Sequence, residues 1–169
     1  MATNLYDLTV PAFLRGFAAL DAFLDKSRDW ADEQGIGHAT LLEARLIEDM
    51  APLASQVQRA SDAAKLATAR LAGIDGPAMP DTETSFAELK ARIAATVAFL
   101  ESVPRAQIDG REDAEIILKL PSTEIKFTGL GYLTGFALPN FYFHVTTAYA
   151  LLRMQGVPVG KRDYLGGIR

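Results

Sequence analysis

The chain has 169 residues, 49% of them apolar and 22% charged, which is enough to bury a core and too apolar for a disordered segment. A net charge of −4 argues against the basic patch that general nucleic-acid or anionic-membrane binding needs. The absence of cysteine excludes disulfides, thiolate metal sites, iron–sulfur clusters and cysteine nucleophiles together.

The opening MATNLYDLTV has no basic region followed by an apolar one, so it does not read as a signal peptide. No apolar run approaches the roughly 18 to 20 residues that span a bilayer. The expected setting is cytoplasmic, with no membrane and no nucleic-acid partner.

The first helix is predicted from about Pro11 to Glu33. Proline suits a first turn, where its missing N–H costs nothing, and Thr9 or Val10 then falls near the cap. Phe13, Phe17, Leu20 and Leu24 recur at helical spacing, and Gly35 and Gly37 end the segment. The second helical segment is ATLLEARLIEDMAPLASQVQRASDAAKLATARL, with Leu42, Leu46, Leu53, Val57, Ala60 and Ala64 as its stripe. Pro52 lies inside it and should kink or divide it. His38 opens this segment and reads as a solvated terminus. Gly73, Gly76, Pro77 and Pro80 mark a loop in which Asp75 and Asp81 are most simply solvated.

A third helix starts near Ser85, which has the capping-box spacing with Glu88; Phe86, Leu89, Ile93, Val97 and Leu100 are its buried stripe, and Pro104 ends it. EIILKL (115–120) and EIKFTG (124–129), separated by PST, then read as a small β-hairpin. The last helical stretch begins around Leu130, is interrupted at Pro139 and continues to Gln155, with Gly156 as its C-cap. The tail GVPVGKRDYLGGIR is glycine-rich and basic, and either folds back or meets a partner subunit. The expected fold is all-α: one domain over residues 1–169, a four-helix bundle with a small β-hairpin before the last helix.

The chemistry concentrates in PNFYFHVTTAY (139–149). Asn140, His144 and Thr147 form a polar line beside the Phe141, Val145, Ala148 and Leu152 stripe, because residues about four apart share a helix face. The residues leave three roles open for His144: metal ligand or catalytic group, hydrogen-bonded core residue, or exposed bystander. On the second helix Asp49 falls at the margin of the apolar arc. Metal ligation, a bond to His144 or an ion pair with Arg45 would each partner it. A zinc site normally shows three or four ligands, so a chain with two histidines would need carboxylates or amides, which favour harder divalent ions. Dinucleotide-binding, P-loop, G-x-S-x-G and H-E-x-x-H motifs are all missing.

PNFYFHVTTAYALLRMQGVPVGKRDYLG, RLIEDMAPLASQVQRASD and YDLTVPAFLRGFAALDAFLDKS together resemble a bacterial and fungal domain of unknown function (number nineteen ninety-three). That family resembles the DinB/YfiT-like superfamily, four-helix bundles that are often dimers and are regarded as metalloenzymes. The resemblance implies a divalent-metal site built from one histidine of the second helix and an H-x-x-x-H pair on the last. His144, followed by Arg153 and Gly156 at the superfamily's spacing, resembles the last of these histidines. Asn140 stands where its partner would be, and Asp49 and Met50 stand where the second-helix histidine would fall. Relatives are linked to thiol-dependent transfer or isomerisation and to metal-dependent hydrolysis.

The chain thus supports two readings. In the first, a degenerate site between the second and last helices takes a small molecule, or a divalent metal ion as cofactor through His144, Asp49 and Asn140, with Tyr142, Thr147 and Tyr149 contacting the ligand. In the second, the chain is a non-catalytic homodimeric structural or interaction module.

Overall fold

The computed structural model describes residues 4–166; the first three residues of the N-terminal stretch and the last three of the tail lie outside them. The elements are α1 (Leu5–Gln34), α2 (His38–Leu42), α3 (Leu53–Ala72), α4 (Phe86–Ser102), β1 (Glu115–Leu120), β2 (Thr123–Thr128), α5 (Gly129–Tyr132), α6 (Leu138–Met154) and α7 (Lys161–Tyr164). The protein is thus mostly helical with one small antiparallel sheet. Among the described residues no helix is long and apolar enough to cross a membrane.

α1 starts six residues before Pro11, which lies within the helix rather than in its first turn. Asn4 is the cap, and the Asp7 carboxylate accepts its N–H at 3.3 Å. Leu5, Thr9 and Val10 are buried, so tertiary packing outweighs the one hydrogen bond lost at Pro11. The Phe13, Phe17, Leu20 and Leu24 stripe is buried as predicted. Gly35, at φ 66°, ends the helix in the left-handed conformation.

The predicted second helix is not one helix. After α2 the chain leaves helical geometry over residues 43–52, and α3 begins at Leu53 with Pro52 as its N-cap. The Leu53 N–H donates to the Ala44 carbonyl at 3.1 Å, and Arg45 Nη1 donates to the Met50 carbonyl, which close this segment on itself. Leu46 and Asp49 are therefore exposed loop residues, and no Arg45–Asp49 ion pair is present. His38 does open α2, bonded to Asp32 at 2.8 Å.

Ser85 caps α4, its Oγ accepting the Glu88 N–H at 3.2 Å. Glu88 reaches one residue farther back than the box requires and accepts the Thr84 N–H at 2.7 Å. Asp81 is not simply solvated. Arg92 of α4, with a side chain only 2% exposed, pairs at 3.0 Å with each of Asp81, Glu83 and Asp62. This cluster fastens the loop before α4 to α3, where charge-assisted bonds offset the cost of burying the guanidinium.

α3 packs against α6 and α4, and α1 packs against α4 and α6. The hairpin pairs Glu115 with Thr128 through Leu120 with Thr123, with Ile116 and Leu118 turned inward. α5, a wider π turn (Leu133–Ala137) and α6 form one continuous helical run. The Leu138 N–H donates to the Leu133 carbonyl, and this five-residue spacing directly precedes Pro139, whose N–H is missing. The tail folds back: Val157 and Val159 are buried, Asp163 of α7 pairs with Lys26 of α1, and Tyr164 packs on Phe23 and Tyr149.

α1 and α6 come close at Gly16, where a Cβ would overlap the Phe141 ring. That ring sits edge-on to Phe13 and Phe17, with centroids 4.9 and 5.1 Å away. Gly16→Ala is expected to cost about 1–3 kcal/mol through overpacking, read as a lower urea midpoint with an unchanged m-value. No loss of stability would show that Phe141 can move aside freely.

Candidate functional site

His144 projects from α6 toward α3 and is 7% exposed. Its Nδ1 lies 2.8 Å from Gln56 Oε1. The Gln56 amide is oriented by the opposite end, where Nε2 donates to the Ala51 carbonyl at 2.8 Å. Oε1 can then only accept, so Nδ1 must carry the hydrogen and Nε2 is left with a lone pair. Burial, reinforced by the nearby Arg59 guanidinium, lowers the His144 pKa to about 4. The ring is neutral at pH 7.

His144 opens into a cavity of about 240 Å³ between α3 and the α5–α6 run. Helical spacing builds both walls. Arg59, Asp62, Ala63, Leu66 and Arg70 share one face of α3; Tyr132, Phe136, Asn140 and His144 follow every fourth residue on the other side. Leu118 of β1 closes one end. The Tyr132 and Phe136 rings stack with centroids 5.8 Å apart and give that end an aromatic wall.

The charges here are unequally matched. Asp62 is shared by Lys65 at 2.8 Å and Arg92 at 3.0 Å. Arg70 donates to the Tyr132 hydroxyl at 2.8 Å and has no acidic partner among the described residues. Arg59 has neither a hydrogen bond nor an ion pair among them. Burial raises the Tyr132 pKa against the opposing pull of Arg70, so its hydroxyl stays protonated.

Of the residues singled out in the sequence, Asn140 and His144 share this cavity and the others do not line it. Asp49 sits on the exposed 43–52 segment. Thr147 is buried, with its hydroxyl donating to the Phe143 carbonyl at 2.7 Å, the usual resting place of a helical threonine. Tyr142 donates to the Ala12 carbonyl of α1 at 3.4 Å, and burial raises its pKa. Tyr149 packs between Phe23 and Tyr164. Gln56, Arg59, Arg70 and Tyr132 escaped the sequence reading; the available signal was the polar stripe at 56, 59 and 70 running alongside the apolar one on the same helix.

Among the described residues no group of three or more histidine, aspartate or glutamate side chains is placed to hold a metal, and Asp49 does not line the cavity that Asn140 and His144 share.

The sequence profile of the domain of unknown function DUF1993 matches residues 5–165. The chain belongs to this family. A crystal structure of a DinB family member protein from Shewanella denitrificans is similar over 97% of this chain and 93% of that one, at 40% identity and a TM-score of 0.89. No curated protein matches. The family and the neighbour agree on a DinB-like fold, and within this DUF1993 chain the histidine environment is a neutral, amide-bonded one.

The low His144 pKa carries a sign. Between pH 6.5 and about 4 the unfolded chain takes up a proton at this ring that the folded chain refuses, so stability falls as pH falls through that window. Compared with His144→Gln, the native chain should lose roughly 1–2 kcal/mol of unfolding free energy across it, the full shift being discounted for the solvent in the adjoining cavity. Urea titrations at pH 7, 5.5 and 4 on both proteins check this. A difference that stays constant with pH would mean that the ring titrates alike in both states.

Proposed function

We propose that the protein is a cytoplasmic, single-domain DinB-like four-helix bundle that binds a small molecule in the α3–α6 cavity. The observation that carries this reading is the His144–Gln56 pair. It leaves a buried imidazole with one unused acceptor, Nε2, beside an aromatic-walled space, the combination of apolar lining and few convergent polar groups that marks ligand sites. In this role His144 recognises a ligand O–H or N–H. A pKa of about 4 suits an acceptor and makes a weak general base near neutrality. Asn140 and the Tyr132 hydroxyl supply further polar contacts.

A homodimeric module is the second reading. An open hollow lined by Leu46, Phe143 and Ala150 favours it, since Phe143 is 54% exposed.

NMR titration with a set of small neutral and charged fragments tests the ligand reading. Binders are expected to shift the His144 ring resonances, and Ala63→Trp, which fills the cavity from its half-buried α3 side, should abolish those shifts while leaving the circular dichroism unchanged. Binding that survives Ala63→Trp, or no binder at millimolar concentrations, would overturn it.

A further inference from the structure

The imbalance of donors and acceptors around the cavity points to the chemical class of its ligand, given that the cavity is a ligand site as proposed. We infer that the α3–α6 cavity takes a compact organic carboxylate, with its anionic head at Arg70 and the Tyr132 hydroxyl and its apolar body against Phe136, Leu66 and Leu118.

Three carboxylates at the loop–α4 junction pair with Arg92, and one of them, Asp62, is also bonded to Lys65. The one negative charge left over lies at the Asp62 end of the cavity, three residues along α3 from Arg59 and eight from Arg70. Arg70, three turns of α3 beyond Arg59, keeps guanidinium N–H groups with no carboxylate among the described residues to meet. Arg70 is held in place by its bond to Tyr132, itself buried, so one guanidinium is oriented before any ligand arrives. The Tyr132 hydroxyl accepts from Arg70 and keeps its own hydrogen to donate, and the Asn140 amide adds N–H donors. Such a donor-rich wall attracts a carboxylate, whose oxygens accept several charge-assisted bonds at once. The His144 Nε2 lone pair lies toward the other end of the cavity, twelve residues from Tyr132 on the same helical run, and is not part of the anion site.

The shape argues for a carboxylate on a small apolar frame rather than a polyanion. At about 240 Å³ the cavity has the room of roughly eight waters at their liquid volume, and leucine, alanine and aromatic side chains form most of its lining. A second anionic group would have to lie against that lining without a partner.

Benzoate and benzamide separate these elements, having the same frame with and without charge. Titrating the full chain with each, followed by NMR, should give benzoate an affinity about tenfold higher, with shifts at the Arg70 Nε–H and the Phe136 ring. Arg70→Gln should remove most of the benzoate preference, whereas Arg59→Gln, at an exposed position near His144, should leave it within about twofold. Should Arg70→Gln fail to fold, Tyr132→Phe, which removes the hydroxyl that orients Arg70, decides and should cut the preference at least about threefold. Equal affinities for the two probes would overturn the charge inference and leave the cavity as a neutral-ligand site. No binding of either would overturn both this inference and the ligand reading beneath it. A benzoate preference unchanged by Arg70→Gln would place the anion elsewhere and overturn the assignment to Arg70.

Discussion

Desolvation of the His144 ring by α3 is the constraint on which the rest of the site depends. A buried imidazolium would need an anionic partner, and α3 presents an amide and a guanidinium instead, so the ring is held neutral. The tautomer is then set by a chain of two hydrogen bonds that starts at a backbone carbonyl: Ala51 fixes the Gln56 amide, and Gln56 fixes Nδ1. Ala51 is available because the chain leaves helical geometry before Pro52, so the irregular 43–52 segment supports the site without lining it. A choice made in a loop thereby sets which nitrogen of a helix residue faces the cavity.

The space beside His144 comes from the same economy of elements. The π turn over Leu133–Ala137 precedes Pro139 and brings Phe136 and Ala137 to the cavity wall, while the hairpin contributes Leu118. Asp62 joins cavity and scaffold, since its carboxylate is bound by Lys65 on its own helix and by Arg92 from α4. Those bonds hold the connection before α4 against α3 and leave Arg70, two turns farther along that helix, as the unmatched charge of the wall. Stability of the junction and polarity of the cavity are two consequences of one arrangement.

The helix stripes from Phe13 to Leu24, Phe86 to Leu100 and Phe141 to Leu152 were legible because a 3.6-residue period survives in the sequence whatever surrounds it. The first strand, the Ser85 cap and the stop at Gly156 were legible too, each resting on local chemistry. The 43–52 segment was not. Leu42, Leu46 and Leu53 imitate a helical stripe, and only backbone bonds such as Leu53 to Ala44 reveal that the chain turns there. That error carried Asp49 onto a helix face it does not occupy. Within the site, His144 and Asn140 stood out through their place in an aromatic run. Gln56 did not, because a neutral amide in a polar stripe has no distinguishing pattern, and its role exists only once α3 and α6 are packed together. Pro11 misled in the other direction: a residue that favours first turns is tolerated inside α1 because the turns before it are buried.

The protonation state of His144 can be read directly from the imidazole nitrogen shifts of the 15N-labelled chain at pH 7. The expected spectrum has a protonated Nδ1, coupled to Gln56, and an Nε2 at the shift of an unprotonated, pyridine-like nitrogen. A ring protonated on Nε2 alone, or on both nitrogens, would contradict the hydrogen-bond chain from Ala51 and with it the acceptor on which ligand recognition is built.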